Sequence, residues 1–197
     1  MKKIFFTILM IVTVASIYAQ QFEPESNFRW RRDGNGVRIM GYTGNNTDIR
    51  IPTHIQGMPV VSIAADAFNN KGLTNVIIPD TVVHIFPSAF RGNRLTSIII
   101  PGSVRVIGGG FSSGAFENNQ LTNVTISNGV REIGVSAFAN NRLTNITIPD
   151  SVTLIRASAF ANNQITSVNL PTTTRLESVI GPVGRPFGNA TVTHGQP

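Results

Sequence analysis

The chain has 197 residues, one domain's worth, and only 13% of them are charged, against about a quarter in a typical soluble protein. A hydrophobic content of 41% excludes disorder from low hydrophobicity, and the lack of cysteine excludes disulfide scaffolds, thiolate metal sites and a thiol nucleophile. The polar balance is made by 19 Asn, 19 Thr and 14 Ser, residues of turns and strands, while a formal charge of +6 raises the question of an acidic partner.

Met1-Lys2-Lys3 is followed by an apolar run from Ile4 to Ile17 and then Tyr18-Ala19-Gln20. This is the layout of a signal peptide over 1–19, cleaved after Ala19. The run is too short for the roughly twenty residues a membrane-spanning helix needs. No transmembrane segment is therefore expected after processing, which leaves 14 basic against 10 acidic residues, +4. Residues 20–27 read as a mobile leader. Residues 28–66 read as a cap hairpin, turned by Asp33-Gly34-Asn35-Gly36, and a first divergent repeat.

From 67 to 180 the sequence repeats itself. Ala-Phe recurs with its Phe at 68, 90, 116, 138 and 160, in steps of 22, 26, 22 and 22. Five residues after each Phe stands Leu or Ile, then Thr (Leu73, Leu95, Leu121, Leu143, Ile165). Further columns follow: Val76, Ile98, Val124, Ile146 and Val168; then Ile78, Ile100, Ile126, Ile148 and Leu170. Proline comes next in four units, with Ser127 the exception. So many columns in phase describe a β-rich repeat solenoid of about five coils, with short helical or 3-10 turns, in which stacking alone buries the apolar side of each coil. Asp66, Ser88, Ser136 and Ser158 are expected to cap a helical turn before Ala-Phe, and Asn-Asn or Gly-Asn to close each circuit.

The pattern L-T-x-V-x-I-P-x-x-V-x-x-I-x-x-x-A-F-x-x-N resembles the BspA-like, treponemal-type leucine-rich repeats of bacterial surface proteins, over about residues 28–180. Many leucine-rich repeats carry a buried Asn or Cys where this chain has Thr81, Ser103, Gly129 and Ser151. The turn asparagines are expected to take over those hydrogen bonds. The resemblance implies adhesion to host matrix proteins or to other bacteria.

After 180 the repeat lapses. Residues 181–197 read as a Gly/Pro-rich tail in which Phe187 covers the last coil and the remainder frays. The 26-residue step places an insertion at Gly108–Gly114, a tolerated bulge or a binding loop offering Phe111.

No catalytic or metal constellation stands out. His54, His84 and His194 have no ligand spacing, the carboxylates are scattered, and no cofactor motif is present. A non-enzymatic binding module is expected, with a protein or glycan ligand outside the cytoplasm. Its candidate surface is the outward side of the strands: Arg50, Asn75, Ile77, Ser97, Ile99, Asn123, Thr125, Asn145, Thr147, Ser167 and Asn169. That strip would be roughly 25–30 Å long, with Ile77 and Ile99 as its apolar step. The one dense basic cluster is Arg29, Trp30, Arg31 and Arg32, too little for the basic stripe with interleaved aromatics of a nucleic-acid module. A structural envelope protein that assembles with other chains, and a polyanion or acidic-glycan binder, stand as alternatives.

Overall fold

The computed structural model describes residues 22–110, 113–177 and 185–195. The expected signal peptide and Phe111 lie outside these residues. The fold is the repeat solenoid read from the sequence, with three backbone ladders running along the stack.

The first ladder is a nine-stranded sheet. It contains β5 (Met58–Ile63), β7 (His84–Ile85), β9 (Val106–Ile107), β11 (Glu132–Ile133), β12 (Leu154–Ile155) and β14 (Arg175–Leu176), joined in parallel in that order. At its start β1 (Phe28–Asp33) and β2 (Gly36–Tyr42) form an antiparallel hairpin, and β2 continues the parallel stack onto β5. The short β4 (His54–Ile55) pairs back on β5. The hairpin thus covers core that would otherwise face water.

The second ladder carries the L-T-x-V-x-I segments. It comprises β3 (Asp48–Arg50), β6 (Asn75–Ile77), β8 (Ser97–Ile100), β10 (Asn123–Ile126), β13 (Ser167–Leu170) and β15 (Thr191–His194). It is not continuous: β3 pairs with β6, β8 with β10, and β13 with β15.

The third ladder passes through the Ala-Phe turns. The Tyr42, Phe68, Phe90, Phe116 and Phe138 N–H groups donate to the Ala67, Ala89, Ala115, Ala137 and Ala159 carbonyls, at 2.7–3.0 Å. These segments are turns rather than helix. Asp66, Ser88, Ser136 and Ser158 are not caps; their φ angles of 58, 57, 53 and 56° are left-handed. An L-residue loses about 1–2 kcal/mol in that region. The bonds to the next coil, such as Ser136 N–H to Ala157 C=O, offset it.

Inside, the Phe rings stack from Phe68 to Phe90, Phe116, Phe138, Phe160 and Phe187 with centroids 4.9–5.4 Å apart and planes within 12°. Tyr42 and Phe28 start the stack. Beside it runs a ladder of buried asparagines, Asn93, Asn119 and Asn141, continued by half-buried Asn163. Each Nδ2 donates to Phe carbonyls of its own and the preceding coil, and each Oδ1 accepts a Leu N–H of the preceding coil. The first position of the pair has the other role: Asn70, Gly92, Asn118, Asn140 and Asn162 all have positive φ.

Both chain ends depart from expectation. Residues 185–195 are not a fray but most of a further coil: Phe160 N–H donates to Pro186 C=O, Phe187 extends the stack, and β15 pairs in parallel with β13. Pro-Phe there stands in for Ala-Phe. The leader is anchored from Phe22 on. Glu23 N–H donates to Arg50 C=O, and the buried Glu23 carboxylate accepts from Asn27, Tyr42 and Asn46.

Candidate functional site

The outward columns of the second ladder hold the predicted residues. Asp48, Asn75, Ser97, Asn123 and Ser167 start their strands, and Arg50, Ile77, Ile99, Thr125 and Asn169 stand two positions on. All are exposed except Arg50 and Asn75, which are half-buried. Asn75 Nδ2 donates to Asp48 Oδ1 at 2.9 Å. Asn145 and Thr147 are exposed too, but Asn145–Ile148 pairs with neither neighbouring strand.

Every joint at which the ladder fails ends in proline. At closed joints the residue after the later strand donates the last bond: Ser127 N–H to Ile100 C=O at 3.0 Å, and Gly195 N–H to Leu170 C=O at 2.8 Å. Pro79, Pro101, Pro149 and Pro171 occupy that position elsewhere and have no N–H to give. The joint ending in Pro79 keeps a ladder one residue shorter, held by Ile51 N–H to Ile77 C=O. The joints ending in Pro101, Pro149 and Pro171 have no pairing. The predicted strip is therefore a set of strand pairs separated by slots.

One end of the face is apolar. Ile99 is 65% exposed, Phe22 41% and Ile77 38%, and these are the exposed large hydrophobics among the described residues. They share a neighbourhood. Arg50 lies opposite Ile77 in the ladder, Ile99 holds the same column one coil on, and the Phe22 ring covers Arg50 with its Cζ 4.3 Å from the centroid. The sequence reading placed Ile77 and Ile99 together and missed Phe22, which no repeat periodicity marks.

Residues 61–179 match six copies of the BspA type leucine rich repeat region. The chain belongs to this family. Among solved structures, the BspA-type array is similar to a leucine rich cell surface protein from Faecalibacterium prausnitzii A2-165, at 25% identity and a TM-score of 0.55, over 80% of this chain and 50% of that one. It is also similar to the pneumococcal vaccine antigen PcpA, at 17% identity and a TM-score of 0.50, over 88% of this chain and 48% of that one. This chain thus spans about half the length of both. No curated protein matches it significantly.

The basic cluster at the head of the BspA-type array does not form one surface. Arg29, Arg31 and Arg32 are exposed, but Trp30 is half-buried against the core. Asp33 sits between Ser62 and Arg38, whose hydrogen bonds hold its carboxyl below the usual range, and Arg38 covers Phe86. Among the described residues no group of three or more His, Asp or Glu is placed to hold a metal ion, and no helix is long and apolar enough to cross a membrane.

Glu23 makes the leader's attachment pH-dependent. Burial pushes its pKa up, but the hydrogen bonds from Asn46, Tyr42 and Asn27 outweigh that and lower it. A carboxyl with a lowered folded-state value adds stability above its unfolded value of about 4.3, and loses it as pH falls through the folded value. Thermal melts from pH 7 to pH 3 are expected to fall less steeply in Glu23→Gln than in the wild type, Asp33 supplying the remaining slope. Parallel curves would refute the clasp.

Proposed function

We propose that this chain is an exported, non-enzymatic binding module that works at the cell surface, holding a protein partner through the apolar end of its strand face and so mediating adhesion. The observation that carries this reading is the run of exposed Phe22, Ile77 and Ile99 at one end of a repetitive backbone, with Phe22 and Ile77 beside Arg50 and Ile99 one coil beyond Ile77. A solvated strand face has no need of three large exposed hydrophobics in one place, whereas clustered aliphatic and aromatic anchors are what interface centres use. Because the coils fix these side chains in advance, little entropy is lost on binding. The similarity to a leucine rich cell surface protein supports the location. The half-buried Trp30 counts against a polyanion site, since it removes the only aromatic from the basic cluster.

Purified protein is expected to bind at least one of a panel of immobilised matrix proteins, and Ile77→Asp/Ile99→Asp to weaken that binding by more than about tenfold while melting at the wild-type temperature. Unchanged binding by a folded double variant would show the site to be elsewhere. Light scattering that finds ordered self-assembly would favour a structural envelope role.

A further inference from the structure

The opposite end of the strand face has different chemistry. The unpaired segment Asn145–Ile148 lies between two clefts. One, of about 300 Å³, is lined by Asn123, Thr125, Asn145, Thr147 and Pro149. The other, of about 710 Å³, is lined by Thr147, Asp150, Asn169, Pro171, Thr172 and Thr173, with Gly195 at its edge. Both volumes fall in the range of small-ligand sites, about 300–1,000 Å³. Pro149 and Pro171, which have no N–H to close the ladder, line the two clefts. The backbone N–H and C=O groups of Asn145–Ile148 make no bond to the strand on either side, and among the described residues no hydrogen bond or ion pair engages the exposed Asp150 carboxylate. We infer that these clefts form a binding site for a neutral oligosaccharide, separate from the apolar strip.

The donor set fits that class. Hydroxyls, amides and free backbone groups offer donors and acceptors together, which matches sugar hydroxyls that do both. The Asp150 carboxylate accepts two hydroxyl hydrogens at once, and hydrogen bonds to a charged group are the stronger kind. No Lys or Arg lines either cleft, which opposes a phosphate or sulfate ligand, and the apolar lining side chains Ile146, Ile148 and Leu170 are buried, which leaves no anchor pocket for a peptide side chain. Clefts on both sides of one segment suit linked sugars running across the coils.

The test is titration calorimetry of the whole folded protein with maltohexaose, cellohexaose, xylohexaose, mannohexaose and chitohexaose, and with dextran sulfate as the anionic probe. Saturable binding of at least one neutral hexasaccharide is expected. Asp150→Ala should weaken it by about tenfold or more. Pro171→Ser should do the same by supplying the N–H that Ser127 provides at its own joint, closing the larger slot without lowering the melting temperature. Should Pro171→Ser prove unstable, Asp150→Ala, in an exposed turn, carries the test. Ile77→Asp/Ile99→Asp should leave saccharide binding intact, so that failure of the protein-binding strip and failure of this site read differently. The inference is overturned if none of the five neutral sugars binds, if only dextran sulfate binds, or if binding survives Asp150→Ala at full strength.

Discussion

Phe116→Ala is expected to destabilise the array by about 3–5 kcal/mol, the cost of deleting a buried aromatic and leaving a cavity. Phe116 is fully buried at mid-stack, with Phe90 at 5.0 Å on one side and Phe138 at 5.4 Å on the other. Its loss interrupts both ring contacts at a joint that holds two halves of the solenoid together. In a solenoid each coil contacts only its neighbours, so stability is approximately a sum of coil and interface contributions. A broken central interface should uncouple the halves, and urea unfolding should become broader or biphasic. Phe187→Ala, at the end of the stack with one ring neighbour, should cost less and leave a single transition. Equal losses at the two positions would refute the spine as the source of cooperativity.

Asn141→Ala should cost about 3 kcal/mol without creating a cavity of comparable size. Its Nδ2 donates to the Phe116 and Phe138 carbonyls at 3.0 Å and the Ala139 carbonyl at 3.2 Å, while Oδ1 accepts the buried Leu121 N–H at 3.0 Å. Truncation strands these backbone groups where water cannot replace the amide, and each buried unsatisfied group costs roughly 1–3 kcal/mol. Asn141→Asp should be worse than alanine at neutral pH, because a second acceptor would then face three carbonyls. Denaturation midpoints of the two variants check the order; an aspartate variant as stable as wild type would mean that the ladder hydrogen bonds contribute nothing.

The columns of Leu, Val, Ile and Phe were legible because burial repeats them in phase, and nearly all of them form the core. The asparagine pair was half legible. Both residues read as turn formers, but only the first is left-handed; the second is the buried ladder. The signal lay in the repeat itself: the first position varies between Gly92 and Asn118, Asn140 or Asn162, while the second is Asn in four successive units, at 93, 119, 141 and 163. The serines before Ala-Phe misled because a residue that caps a helix and one that takes a left-handed turn can look alike, and only the bonds to the next coil decide between them. Ser127 stood out as the unit without proline, and its consequence appears only once a ladder is drawn, where its N–H closes a joint that proline leaves open. Phe22 lies outside the regular spacing, so periodicity could not assign the apolar strip's third member; Phe187 was read from Pro186-Phe187-Gly188 as covering the last coil, and it does, but the further coil that carries it was not read.

An exported array, as proposed, would present its strand face to partners outside the cell. The most direct measurement adds protease to intact cells producing the protein and assays cells and medium. An exported protein is expected to be digested on the cells, or recovered in the medium, while a cytoplasmic marker survives. A protein that stays with the cells and resists protease until the envelope is broken would contradict the proposal.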